Sequence, residues 1–150
     1  MEANYKSQFK IIKRRVYCTT TAAILQGEGV VFDYAQGTAT TEDRARGKYV
    51  KTPAATTDQF AGVLLQAKPA GAGWVDIACP GSDCYVLAGE TTVAIGATLT
   101  LDTGTAPGSF MNDVTVLGAG AVTVLKTIAA TGLVHAKLVE GSPVTLAASS

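Results

Sequence analysis

Residues that carry chemistry are scarce in this sequence. It has one histidine, His135, one tryptophan, Trp74, and three cysteines, and 16% of its residues are charged. Each scarcity excludes something. A lone histidine in a strand-like stretch has no oriented nucleophile beside it, so it is not read as a catalytic base. The glycine-flanked serines sit in GSD, GSF and GSP contexts, none of them a nucleophile elbow. Cys18, Cys79 and Cys84 are an odd number, too few for a secreted disulfide framework, and read as free thiols. Cys79 and Cys84, spaced C-x4-C, fall short of a zinc site even with Cys18 and His135, because no second close pair accompanies them. "GAGAVTVLKT" (Gly118–Thr127) lacks the G-K-[ST] of a phosphate loop, and strand-type residues follow it, so it reads as a β-turn. No apolar run approaches the roughly 20 residues of a membrane span. No leader-type apolar region follows the basic N-terminal residues. A non-enzyme with no cofactor and no metal, assembled in a cytoplasm, is expected.

What remains is apolar and neutral. Hydrophobic residues make up 47%, which argues against disorder, and the low charge suits a surface partly covered by partners. Lys plus Arg equals Asp plus Glu at 12 each, yet the distribution is lopsided. The first 15 residues hold five basic residues against Glu2, a surplus of four, so the other 135 residues carry a net of four negative charges. A basic end on an acidic body suits contact with a neighbour better than a coat on nucleic acid.

The patterning is that of strands. "GVVFDYA" (Gly29–Ala35) reads as one strand and "FAGVLLQA" (Phe60–Ala67) as a buried strand with a glycine inside it. "WVDIAC" alternates, with Trp74, Asp76 and Ala78 on one side and Val75, Ile77 and Cys79 on the other. The turn signal "PGSD" and the run "CYVLAG" then predict a hairpin with loop Pro80–Asp83. Trp74 is assigned to the core, with a trimer interface as the alternative. In "GLVHAKLV", His135 shares a face with Leu133 and Lys137, opposite Val134, Ala136 and Leu138. Gln36–Lys48 is polar and charged and reads as an exposed loop. About eight to ten short strands with frequent turns predict an all-β sandwich or barrel.

The basic end is the candidate binding element. Five basic residues are threaded between Tyr5, Phe9, Ile11, Ile12, Val16 and Tyr17. No extended basic groove accompanies them, so direct nucleic-acid binding is not expected. No clean amphipathic stripe forms, so no membrane-surface helix is expected. An extended arm that adds a strand to a neighbour's sheet is one reading. An ordinary first strand with solvated lysines is the other. The arm residues singled out are Tyr5, Phe9, Ile11, Arg14, Arg15 and Tyr17, with Arg44 and Arg46 of the exposed loop as a second contact.

As a set, "FAGVLLQA", "WVDIACPGSDCYVLAG", "VAIGATLTLDTG" and "VLKTIAATGLVHAKLV" resemble the capsid decoration (cement, head-stabilising) proteins of tailed bacteriophages. The resemblance covers about residues 26–140 and lies in pattern and glycine placement. It implies a compact small β-barrel or β-tulip-like sandwich at residues 26–150, with an extended basic N-terminal arm and lead-in at residues 1–25. It also implies a structural virion protein on the capsid exterior, bridging neighbouring major capsid protein subunits as a homotrimer on the shell. Another β-barrel virion component, such as a tail-tube, connector or fibre-base protein, is the alternative.

Overall fold

The structure, a computed structural model, describes residues 10–36, 41–89, 94–111, 122–126, 132–138 and 146–147, with backbone alone at residues 45, 122–126 and 146–147. Alternation decides which strands face water, because successive side chains of a strand point to opposite faces. In β1 (Lys13–Cys18), Val16 and Cys18 are buried while Lys13 and Arg15 are exposed. β2 (Gly29–Phe32) and β4 (Phe60–Leu64) are buried along nearly their whole length. β3 (Tyr49–Lys51) alternates again, with Val50 buried between two half-buried neighbours. With β5 (Gly73–Ala78) these strands close a barrel in the order β1-β3-β2-β4-β5. β5 returns onto β1 in antiparallel register from Lys13↔Ala78 to Cys18↔Gly73, and β1 pairs with β3 in parallel.

The remaining strands are β6 (Asp83–Ala88), β7 (Thr98–Asp102), β8 (Phe110–Met111), β9 (Val122–Lys126), β10 (Gly132–Leu138) and β11 (Leu146–Ala147). They form a second sheet in the order β11-β7-β8-β6-β10-β9, and β7 also pairs with β9, so this sheet curls back on itself. Nearly everything regular among the described residues is strand, as the patterning predicts. The charged 36–48 loop differs in detail: it holds a five-residue helix, α1 (Thr41–Ala45), with Glu42 and Asp43 in its first turn. Acidic side chains suit the positive end of a helix. The chain leaves α1 through Gly47, whose φ of 62° favours glycine.

Two cores share one wall. Val30, Leu64, Val75 and Ile77 pack inside the barrel with Val16, Cys18 and Val50. Val31, Phe60, Val63 and Ala78, from the same strands, pack against Val86, Leu99, Leu101, Phe110, Val134 and Leu138 of the second sheet. This is why "FAGVL" is apolar at every position: one face of β4 fills the barrel and the other fills the junction. Gly27 ties the two halves together. Its N–H donates to Leu64 O at 3.0 Å and its carbonyl accepts from Leu87 N–H at 2.8 Å.

Polar groups secure the barrel ends. Past β2, the buried Asp33 carboxylate accepts from Thr19 Oγ1 (2.6 Å), Gln36 Nε2 (2.9 Å) and Ala35 N–H (3.0 Å). Burial pushes its pKa up, but these bonds and the charge of Lys51 outweigh that and leave it below the ordinary value. Lys68, also buried, donates from Nζ to the carbonyls of Ala22, Pro69 and Gly71 at 2.9, 3.0 and 2.6 Å. All its ammonium protons are thereby matched, which makes burial of the charge tolerable.

The predicted hairpin does not form. The turn is real, since Ser82 N–H donates to Cys79 O at 3.1 Å and Gly81 has φ 94°. Yet β5 lies in the barrel and β6 in the second sheet. Both edges of β5 are occupied, by β1 and β4, so β6 finds its partner in β10. The segment before β1 lies along this crossover. Cys79 N–H donates to Ile12 O (2.8 Å), Ile12 N–H to Ser82 Oγ (2.8 Å) and Asp83 N–H to Lys10 O (2.6 Å). From Lys13 onward, then, the stretch read as an extended arm is a strand of the chain's own barrel.

Candidate docking face

Because β2 and β4 are covered on both sides, the barrel's free wall is β3-β1-β5. Its outward residues include three aromatics brought into one row by register: Tyr17 lies opposite Tyr49 on β3 and opposite Trp74 on β5. The Tyr17 ring meets Trp74 edge-on at 5.4 Å and Tyr49 edge-on at 6.1 Å. Such pairs contribute about 0.5–1.5 kcal/mol beyond their buried area. Trp74 is 51% exposed, which corrects its assignment to the core: it alternates with Val75, and Val75 takes the inward position. A shallow cavity of 410 Å³ beside the row is lined by Tyr17, Tyr49, Trp74, Gln36 and Lys48.

Charges flank the row. Arg15 lies opposite Asp76, and Lys13 is two residues along the same strand face. Arg15 Nη1 is 3.7 Å from Asp76 Oδ1, and Lys13 Nζ is 3.6 Å from Asp76 Oδ2. Asp76 Oδ1 is buried and has no hydrogen-bond partner among the described residues. Lys48 Nζ stands 5.9 Å from the Tyr49 ring centre and 3.9 Å from Asp43 Oδ2. Three cations thus share two carboxylates on this wall.

The residues singled out from sequence fall in several places. Tyr5 and Phe9 lie outside the described residues. Arg15 and Tyr17 belong to the wall just described. Arg14 donates from Nη2 to the carbonyl of Arg46, which brings β1 to the end of α1. Arg46 pairs with Glu42, and Arg44, half-buried, donates to the carbonyl of Gln36. Sequence reasoning missed Tyr49 and Lys48, counted Lys13 only as one of the five basic residues of the arm, and favoured the core for Trp74. "YVK" and "WVD" carried the signal, since in each the valine claims the inward position, but register alone makes the aromatics neighbours.

Ile11, 52% exposed, falls elsewhere. It lines a groove of 740 Å³ at the junction, together with Leu65, Asp83, Tyr85 and His135. Tyr85 and His135 lie opposite one another and stack at 5.0 Å. As the alternation predicts, Val134, Ala136 and Leu138 are buried behind His135. Two of the thiols, Cys79 and Cys84, are poor nucleophiles. Burial, with the Asp83 charge added, pushes Cys84 up to about 12. Burial also raises Cys79, partly offset by Arg14. Neither provides thiolate near neutral pH. Among the described residues no group of three or more His, Cys, Asp or Glu could hold a metal ion. No helix among them is long and apolar enough to cross a membrane.

No protein-family profile matches this chain, and no curated protein matches its sequence. Among solved structures, the head fiber gp8.5 N base of bacteriophage phi29 is similar, with a TM-score of 0.58 and 13% identity over 91% of this chain and 99% of that one. At that identity the likeness is one of fold.

Proposed function

We propose that this chain is a non-enzymatic structural component of a bacteriophage head, a β-rich module that fastens to the exterior of the expanded capsid and bridges neighbouring major capsid protein subunits. The observation that carries this reading is the shared fold, which spans 99% of the phi29 head-fibre base. The scarcity of catalytic residues and the low content of charged residues support a role in contacts rather than chemistry. A protein that binds only the expanded lattice stabilises it by mass action. Assembly as a homotrimer on the shell would multiply that through effective concentration. The direct partner is then the capsid protein, with neither nucleic acid nor membrane engaged.

A second reading is the base of a fibre that stands on the head, and the name of the phi29 neighbour favours it. Both readings place the chain on the capsid and are tested together. Purified protein is co-sedimented with expanded, undecorated heads and with unexpanded proheads. Saturable binding to expanded heads alone is expected. Binding to neither shell overturns both readings and redirects the search to tail components. Electron microscopy of saturated heads separates a flat cement from a projecting base.

A further inference from the structure

We infer that the β3-β1-β5 wall is the surface by which the barrel docks, and that it takes an acidic patch on a capsid subunit; this rests on the reading of the chain as a head-exterior protein. The wall has the composition of a binding hot spot, in which Trp, Tyr and Arg dominate. Trp74 is 51% exposed although Val75 and Ile77 on the same strand are buried. A large aromatic left half in water gains most from a partner that covers it.

The electrostatics select the partner's sign. Lys13, Arg15 and Lys48 outnumber Asp76 and Asp43, so the wall keeps a surplus positive charge. The pairs to Asp76 are long, at 3.6 and 3.7 Å, and the Lys13 and Arg15 side chains are 62% and 66% exposed. Both cations are exposed and share the one Asp76 carboxylate, so one of them can turn toward a partner's carboxylates while the other stays with Asp76. The wall is also preorganised. β1 is held to β5 over six registered residue pairs, so the row does not have to be assembled on binding. The junction groove lacks such an argument: Asp83 is its one acidic residue, and nothing in the structure shows what would cover it.

The test uses the full chain and expanded heads. Trp74→Ala and the double variant Lys13→Gln/Arg15→Gln are compared with wild type by saturation co-sedimentation at several salt concentrations. Tyr85→Ala, at the groove, is the control. Thermal melts check that each variant folds, which the exposure of these side chains favours. Each wall variant is expected to weaken binding by roughly thirtyfold, the scale of a hot-spot truncation. Wild-type binding is expected to weaken with salt, and the double variant to lose most of that dependence. Tyr85→Ala is expected to bind like wild type. Wild-type-like binding by both wall variants overturns the docking assignment alone. Salt-independent wild-type binding overturns the acidic partner. Failure of wild type to bind heads overturns the head reading, and this assignment with it.

Discussion

The barrel fills its interior with its own residues, among them Val16, Val30, Val50, Leu64 and Ile77. The second sheet does not: Phe110, Leu99, Val86 and Val134 pack against Val31, Phe60, Val63 and Ala78, which the barrel strands supply. The junction is mutual, since the second sheet needs the barrel's outer face to cover its apolar side and Val31, Phe60, Val63 and Ala78 need the second sheet, but only the barrel also has a core made wholly of its own residues. The outer surfaces differ too. The barrel's free wall carries an aromatic row with surplus cations, while the β6–β10 surface presents the stacked Tyr85–His135 pair.

The most damaging test of this asymmetry is removal of residues 1–18. It deletes β1, takes Val16 and Cys18 from the barrel core and opens the edges of β3 and β5. We expect loss of the cooperative melt followed by circular dichroism, in both halves at once. A retained cooperative transition would show that the barrel is dispensable.

Next is the junction. Phe110 is fully buried, edge-on to Phe60 at 6.4 Å. Phe110→Ala is expected to cost about 3–5 kcal/mol in urea unfolding, as for other buried aromatic truncations. A loss below 1 kcal/mol would mean that the two halves do not depend on this contact. Gly27→Ala strikes the hydrogen-bonded joint between the halves. At φ 87° an added Cβ would lie 2.8 Å from Leu87 N, a backbone atom, and 2.5 Å from the Leu133 side chain. About 1–3 kcal/mol is expected. Wild-type stability would show that the joint can shift freely.

The smallest effect separates the halves by pH. The folded pKa of Asp33 lies below its unfolded value, so its contribution is present above the unfolded pKa and fades as pH falls through the folded one. Asp33→Asn should therefore lie below wild type near neutral pH, with the gap in Tm closing as the medium is acidified below the unfolded pKa and through the lowered folded one. A gap independent of pH would assign the loss to packing instead of charge.

Much of the fold was legible from local pattern. The uninterrupted apolar run of Phe60–Leu64 announced a strand covered on both faces, and the alternation of Val134, Ala136 and Leu138 placed His135 on the outer side. The hairpin was not legible. "PGSD" encodes a reversal of direction, not the strand that will pair afterwards, and closure of the barrel removed the edge that β6 would have used. The site was legible only in fragments. Arg15 and Tyr17 were singled out, but Trp74 was placed inside, and Tyr49 attracted no notice because its meaning depends on register with Tyr17.

Side-chain order along each strand was thus settled by the sequence itself, since burial preference and the two-residue period are local properties. Which strands share a wall, which core each face enters, and which aromatics become neighbours were decided by the tertiary structure. Those outcomes depend on hydrogen-bond edges and apolar faces contributed from distant parts of the chain, which compete for one another only once the barrel closes.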